Sequence, residues 1–363
     1  MQRIAIFLPS LSGGGAERVF ADLANALCRQ GYEIDLVLAQ RTGPYLADLD
    51  PEVRVCDLGA SGVVGSLRPL ARYIRDTDAG VLISALNHAN VIALSAKALS
   101  GSQIRMVVSE RNSPKAELQS NLTSRAIRLL MRALYRRADA VVAVSEGIAD
   151  QLVEHYGVKR AQIAVINNPV DTERIDRLAG ASIEHPWLPS PDGSKTVLAV
   201  GRLEPQKDYK TLLRAVSLSE LGDGLRLVVL GEGSQRSALE RLAAELNISD
   251  QVDFAGWEPN PFAYMAKASL YVLSSKWEGF PNSLIQAMGC GVPVVSTDCE
   301  TGPSEILAGG RWGRLVPVGD AQALASAIDA TLIDGTGPDV RRRAGDFHPE
   351  VILAQYLAVL RGE

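Results

Sequence analysis

Short β-branched runs alternate with amphipathic stretches along nearly the whole chain, and that alternation leaves few folds open. Residues 3–8, Arg-Ile-Ala-Ile-Phe-Leu, form an apolar run of strand length. A Ser/Gly loop follows, then a stretch from about Ala16 to Arg29 that puts Val19, Phe20, Leu23, Ala24 and Leu27 on one helical face, with Gly31 as its stop signal. Further strand-like runs stand at 34–39, 53–58, 81–85, 104–109 and 140–144, with helical spacers between them. Strand, helix, strand at this spacing specifies a parallel sheet with right-handed crossovers. The series breaks at 185–195, where three prolines, a glycine and polar turn formers stand together. It restarts at 196–200, 226–230, 251–254, 270–273, 292–296 and 314–316. The expected architecture is α/β, with two doubly wound domains facing a cleft: residues 1–188, residues 189–346, and a last amphipathic helix within 347–363 that starts after Pro349.

A chain of 363 residues with 47% apolar side chains has the material for two packed cores. No apolar run reaches the roughly 18 residues of a membrane span, and the opening run is ended by Pro9 before it reaches signal length. Cys28, Cys56, Cys290 and Cys299 show no CxxC spacing and no histidine cluster, which points to a reduced cytosolic protein with neither a disulfide frame nor structural zinc. A net charge of −5 argues against a nucleic-acid partner. The charge is uneven. Residues 1–188 carry 21 basic and 20 acidic side chains, whereas residues 189–363 carry 16 and 22, so the halves are suited to different partners.

Three loops carry chemistry. Residues 10–18, Ser-Leu-Ser-Gly-Gly-Gly-Ala-Glu-Arg, lie between the first strand and the first helix, where glycines let backbone approach an anion at a helix N-terminus. As a dinucleotide fingerprint this loop fails: Arg18 stands where the third glycine belongs, and the second strand ends in Leu38-Ala39-Gln40 without a ribose-binding acid. Residues 200–208, Val-Gly-Arg-Leu-Glu-Pro-Gln-Lys-Asp, place Gly201 at a strand end and then offer the Arg202 guanidinium and the Lys207 ammonium, a pair suited to a diphosphate. The third loop, beginning Ser274-Ser275-Lys276-Trp277-Glu278-Gly279-Phe280-Pro281-Asn282-Ser283-Leu284, sets a carboxylate at a strand end. Pro281 then stands at an expected first helical position, with amides near Asn282 to Leu284 open to phosphate.

Those segments carry a resemblance. Gly-Arg-Leu-x-x-x-Lys-Asp, then Glu-Gly-Phe-Pro-Asn-Ser-Leu-x-x-Ala-Met-x-x-Gly-x-Pro-Val-Val, then Gly302-Pro303-Ser304-Glu305-Ile306, preceded by Val165-Ile166-Asn167-Asn168-Pro169-Val170-Asp171, resemble the retaining GT-B glycosyltransferases of the group 1 type, which use nucleotide-sugar donors. The likeness runs from the first glycine loop to about residue 320. It implies two Rossmann-like domains, with the last helix crossing back to the first of them and with Arg202 and Lys207 on the donor diphosphate. Glu278 and the backbone after it, Gly279 to Leu284, would orient the sugar, and Gly14 and Gly15 would close on the phosphates from the other domain. Trp257 and nearby backbone would flank the base, with uracil and guanine both open and a UDP-sugar favoured. Relatives carry a second Glu eight residues after the first; Gln286 stands there, able to accept a hydroxyl proton without adding charge. Where many relatives place a His, this chain has Val108-Ser109-Glu110-Arg111-Asn112-Ser113-Pro114, so Glu110 or Arg111 would face the donor sugar or the acceptor. Asn87 and His88 sit at an equivalent strand edge and, with Arg111 and Asn112, are the expected acceptor contacts.

The resemblance further implies front-face transfer with retention, in which the leaving phosphate helps deprotonate the acceptor. Two cations and helix N-termini aimed at that phosphate supply the charge stabilisation, so neither cofactor nor divalent metal is expected. The two Asp-x-Asp triplets, at 48–50 and 76–78, each precede a strand and read as solvated turns at the edge away from the ligands. On the helix expected at 124–137, Arg125, Arg128, Arg132 and Arg136 fall within about 80° of one another beside Leu129, a pattern that suits either a solvated face or an anionic membrane surface and a lipid diphosphate. The reading is a cytoplasmic enzyme, peripheral at the inner face of the membrane, that moves a hexose or N-acetylhexosamine to a lipid-linked or glycan acceptor. A GT-B epimerase or hydrolase of nucleotide sugars, and a non-catalytic nucleotide-sugar-binding module, share the same donor motifs.

Overall fold

The computed structural model describes residues 3–114, 122–190, 193–335 and 337–363, which form two compact units, Met1–Pro169 with Glu350–Glu363, and Val170–Pro349. In the first unit seven strands, β1 (Arg3–Leu8), β2 (Glu33–Leu38), β3 (Arg54–Asp57), β4 (Val81–Ala85), β5 (Arg105–Glu110), β6 (Ala140–Ala143) and β7 (Ile163–Val165), pair in parallel in the order β3-β2-β1-β4-β5-β6-β7. Continuous apolar strands need cover on both faces, and the connecting helices supply it: α1 (Gly15–Arg29), α2 (Leu67–Asp76), α3 (Asn87–Ser100), α4 (Leu122–Leu134) and α5 (Glu146–Tyr156). Phe20, Leu23 and Leu27 of α1 pack on Ile4, Ile6 and Leu36, and the C-terminal helix (Pro349–Arg361) adds Ile352, Tyr356 and Leu360, one turn apart, to the same core. β7, absent from the periodicity, is three residues long and half-buried, too short to give a period.

The second unit repeats the plan with β8 (Lys195–Val200), β9 (Leu225–Leu230), β10 (Val252–Gly256), β11 (Leu270–Leu273), β12 (Val294–Thr297) and β13 (Arg314–Val316), parallel in the order β10-β9-β8-β11-β12-β13. Its helices are α6 (Thr172–Ala179), α7 (Tyr209–Leu218), α8 (Arg236–Glu245), α9 (Pro261–Met265), α10 (Asn282–Gly289), α11 (Pro303–Ile306), α12 (Ala321–Asp334) and α13 (Val340–Gly345). The units divide at Pro169/Val170, ahead of the proline-rich stretch expected to separate them. Residues 170–188 belong to the second unit because they are tied into it. His185 Nε2 lies 2.9 Å from Asp253 Oδ2, Asn260 Nδ2 donates to the Leu178 carbonyl at 2.9 Å, and Lys267 Nζ donates to the Ala181 carbonyl at 2.8 Å.

Both Asp-x-Asp triplets are more than solvated turns: Arg18 pairs with Asp48, Asn25 brackets the Asp48 carbonyl and the Asp50 amide, and Arg3 pairs with Asp78. The basic helix is α4 followed by a 3-10 turn at Tyr135–Arg137, so Arg136 lies beyond its end. Arg125, Arg132 and Arg136 are exposed beside Leu129 and Leu130, which are 66% and 45% exposed, while Arg128 is half-buried. Among the described residues no helix is long and apolar enough to cross a membrane.

Candidate functional site

In an open parallel sheet, ligands bind beyond the strand carboxyl ends where the strand order reverses. In the second unit that place lies between β8 and β11. β8 delivers Gly201 and Arg202, β11 delivers residues 274–278, and the two loops are stitched together. Ser274 Oγ donates to the Lys207 carbonyl at 2.7 Å, the Lys276 N–H to the Gln206 carbonyl at 2.8 Å, and Gln206 Nε2 to the Trp277 carbonyl at 2.9 Å. A turn at Pro205–Lys207 ends on Asp208, whose φ of 47° is a left-handed conformation that Asp adopts more readily than most residues. This turn lays Lys207 over Gly201, where a Cβ would stand 2.9 Å from Lys207 Cε; the glycine makes room for the lysine stem.

Lys207 Nζ donates to Glu278 Oε1 at 2.6 Å, and the fully buried Ser275 hydroxyl donates to the same oxygen at 2.7 Å. Glu278 is 7% exposed, and its backbone carbonyl accepts from the Thr301 hydroxyl. Thr297 Oγ1 donates to the Ser275 carbonyl at 2.6 Å, so the loop carrying the carboxylate is held by β12 as well. Burial, reinforced by the Glu278 charge, pushes the nearby Cys299 thiol up to about 12, which keeps it protonated. Arg202 is exposed and takes part in no ion pair among the described residues, leaving its five donors available.

Pro281 caps α10 rather than opening it, and the Leu284 N–H turns back to the Pro281 carbonyl at 3.1 Å. Of the amides expected to meet phosphate, that of Leu284 is therefore already engaged. Phe280 and Leu284 are buried, the Phe280 ring edge-on to Phe347 at 5.3 Å between centroids, so these two side chains pack the loop from within. Gly279 is buried, Asn282 and Ser283 are half-buried, and Gln286 is half-buried with no side-chain hydrogen bond among the described residues. Trp257, just past β10, is 71% exposed.

The first sheet reverses between β1 and β4. After β1 the Gly13 and Gly14 amides donate to Glu17 Oε2 at 2.9 and 3.0 Å, and Ser10 Oγ to Glu17 Oε1 at 3.3 Å. The anion-binding hollow of the glycine loop thus holds a carboxylate of its own chain; Glu17, three residues past Gly14, has the spacing of a capping box and was legible as such. Gly15 opens the helix directly behind it. After β4, Leu86 takes φ of 78° and presents Asn87 and His88, whose Oδ1 and Nδ1 lie 3.2 Å apart. Burial lowers the pKa of His88.

At the end of β5 the structure turns two expected ligand contacts inward. Glu110, 1% exposed, accepts from the Tyr135 hydroxyl at 2.8 Å, and Asn90 Nδ2 donates to that hydroxyl at 3.0 Å and to the Ser109 carbonyl at 2.9 Å. Burial and the adjacent Glu110 charge hold the Tyr135 hydroxyl far above its ordinary pKa. Arg111 is also buried: it donates to the Tyr356 hydroxyl at 2.9 Å and to Asn168 Oδ1, and its guanidinium lies 5.4 Å from the Phe20 ring centre. Asn112 stays half-exposed, accepting the Ser113 N–H at 3.0 Å. Sequence reasoning missed Ser275 and Thr301 as partners of the site loops, since a hydroxyl in a loop carries no signal of its own, and it missed Glu17 although the spacing from Gly14 was there to read.

Two family models match the chain, Glycosyltransferase Family 4 over residues 13–174 and Glycosyl transferases group 1 over residues 182–347. The N-acetylgalactosamine-N,N'-diacetylbacillosaminyl-diphospho-undecaprenol 4-alpha-N-acetylgalactosaminyltransferase of Campylobacter jejuni is 30% identical over 348 residues, covering 92% of this chain and 91% of the relative. The lipopolysaccharide core biosynthesis glycosyltransferase LpsE of Rhizobium meliloti is 28% identical over 348 residues, with 94% and 92% covered. Among solved structures, HepE of Anabaena in complex with UDP and glucose superposes with a TM-score of 0.83 at 21% identity over the full length of both chains. The apo lipopolysaccharide outer core galactosyltransferase WaaB superposes with a TM-score of 0.77 at 19% identity, covering 100% of this chain and 99% of WaaB.

Proposed function

The chain belongs to the GT-B glycosyltransferases that join a Family 4 half to a group 1 half, and on that premise we propose that it transfers a hexose or N-acetylhexosamine, with retention, from a UDP-sugar to a lipid-linked or glycan acceptor of surface polysaccharide synthesis. The observation that carries this reading is the Lys207–Glu278 pair at the switch point of the second sheet, with Arg202 on the loop after β8 in no ion pair among the described residues. Arg202 forks two oxygens of the leaving diphosphate and Lys207 adds a point charge, so the negative charge that grows as the glycosidic bond breaks meets fixed cations. Glu278 accepts hydroxyls of the sugar, the backbone from Gly279 to Ser283 lines the same side, Gln286 takes the ribose and Trp257 flanks the base. In the first unit, where Glu17 fills the anion hollow of the glycine loop, Asn87, His88 and Asn112 contact the acceptor. Glu110 and Arg111 support that surface from inside.

UDP is favoured by the HepE complex, an N-acetylhexosamine by the name of the Campylobacter relative, and a polyprenyl-linked acceptor by the same name. Arg125, Arg132 and Arg136 with exposed Leu129 and Leu130 are the surface through which the enzyme meets anionic lipid at the inner membrane face. With two cations serving the diphosphate, transfer proceeds without a divalent metal and is unchanged in EDTA; loss of turnover on chelation, restored by Mg2+ or Mn2+, overturns that part.

A thermal-shift panel of UDP-N-acetylgalactosamine, UDP-N-acetylglucosamine, UDP-glucose and GDP-mannose identifies the donor, because ligands that bind the native state raise its stability. With that donor and an undecaprenyl-diphosphate glycan, Glu278→Ala and Lys207→Ala each lower transfer at least roughly tenfold, a loss of about 1.4 kcal/mol of transition-state stabilisation. Wild-type turnover in either variant rejects the site. Donor consumption without acceptor indicates a hydrolase or epimerase instead, and binding without turnover a binding module.

A further inference from the structure

We propose that Ser275 is a positioning residue for Glu278: its hydroxyl anchors one carboxylate oxygen when Lys207 turns to the donor diphosphate, so that the other oxygen stays aimed at the sugar. The inference rests on the reading that Glu278 meets the donor sugar. Two donors, Lys207 Nζ at 2.6 Å and Ser275 Oγ at 2.7 Å, converge on Oε1, whereas Oε2 accepts from no donor among the described residues. The carboxylate is thus divided into a held edge and an open edge.

The two anchors differ in kind. Lys207 ends a flexible stem and carries three donors and a full charge, so a diphosphate at Arg202 and Lys207 redirects it. With Lys207 as its sole anchor, Glu278 would then be a nearly buried carboxylate without a partner, a costly and poorly oriented group. Ser275 has one rotor, no exposure and no charge, and its carbonyl accepts from Thr297 Oγ1 at 2.6 Å and so is tied to β12. Fully buried and uncharged, it is not drawn from Glu278 by a diphosphate as an ammonium is. Exchange of Lys207 from carboxylate to diphosphate therefore leaves the orientation of Glu278 intact.

Steady-state transfer and competitive inhibition by UDP, which has no sugar, separate this role from a general loss of structure. Ser275→Ala is expected to lower kcat/KM for the nucleotide sugar about tenfold, with the UDP inhibition constant within about twofold of wild type. Ser275→Cys, nearly isosteric and a weaker donor, is expected to fall between them; should Ser275→Ala not fold, this variant carries the comparison. The double variant Ser275→Ala/Glu278→Ala is expected to be no slower than Glu278→Ala alone, because residues that act through one another are not additive. Multiplying losses in the double variant, equal loss of UDP binding, or a harmless Ser275→Ala beside a damaging Glu278→Ala overturn the inference. A harmless Glu278→Ala instead removes the site reading on which it stands.

Discussion

A half-buried imidazole favours its neutral form, because leaving water penalises the charged ring. His88 is such a group, its pKa lowered by burial at the head of α3. In the unfolded chain a histidine takes a proton near pH 6.5, and in the folded chain it does so at lower pH. The unfolded state therefore binds more protons between those two values, so the His88 contribution to stability is complete above about 6.5 and is lost as pH falls towards the folded value, at up to about 1.4 kcal/mol per pH unit. The melting temperature of wild type relative to His88→Gln is expected to be higher at pH 7.5 than at 5.5; a gap independent of pH contradicts the assignment. Charged residues such as Arg202, Lys207 and Glu278 were legible because a charge at the end of an apolar strand has few uses apart from a ligand or a partner. Glu110 and Arg111 share that signature and turn inward: sequence places a charge at a strand end but does not say whether it turns out to a ligand or in to Tyr135 and Tyr356.

At the scale of elements, α10 and α11 show how backbone shape, rather than a side chain, sets the site. Gly302 has φ of 93° and lies so close to the loop ahead of α10 that a Cβ would stand 2.8 Å from both the Gly279 carbonyl oxygen and Pro281 Cδ. Gly302→Ala meets two penalties, a left-handed conformation and a contact with backbone that has little room to yield. A cost of roughly 1–3 kcal/mol is expected from the conformation alone, together with a shift of the turn that carries Glu278 and a drop in transfer of at least about tenfold. Calorimetry and donor kinetics on that variant test it, and an unchanged melt with unchanged kcat/KM would falsify the close-packed turn. Twelve of the thirteen strands were legible, since each is an apolar run, and the first helix was bounded by Gly31. β7 was not, for three residues carry no period, and the proline-rich stretch at 185–195 lies within the second compact unit, because proline marks turns whether or not the turn is packed onto a domain, as His185 and Trp187 are here.

At the scale of the molecule, the chain returns to its first unit at its very end. The C-terminal helix contributes Tyr356 to a core built from the first half of the chain, with its ring edge-on to Phe20 at 6.2 Å between centroids and its hydroxyl accepting from Arg111 at 2.9 Å. A contact of that separation has no local signature; the amphipathic pattern after Pro349 announces a helix, and only the family resemblance implied its return to the first domain. Two effects can be separated by substitution. Tyr356→Phe keeps the ring and removes the acceptor, leaving a buried guanidinium one partner short, at a cost of about 1–3 kcal/mol. Tyr356→Ala also empties the ring's volume and is expected to cost about 3–5 kcal/mol, as for other large aromatic truncations. For a unit of this size each kcal/mol lowers the melting temperature by roughly 2–4 °C, so the first unit's transition should fall by several degrees in the phenylalanine variant and by roughly twice as much in the alanine variant. Because the Lys207–Glu278 pair and its loops lie wholly in the second unit, thermal stabilisation by UDP should persist in both variants, and its loss in Tyr356→Phe would show that donor binding depends on the helix.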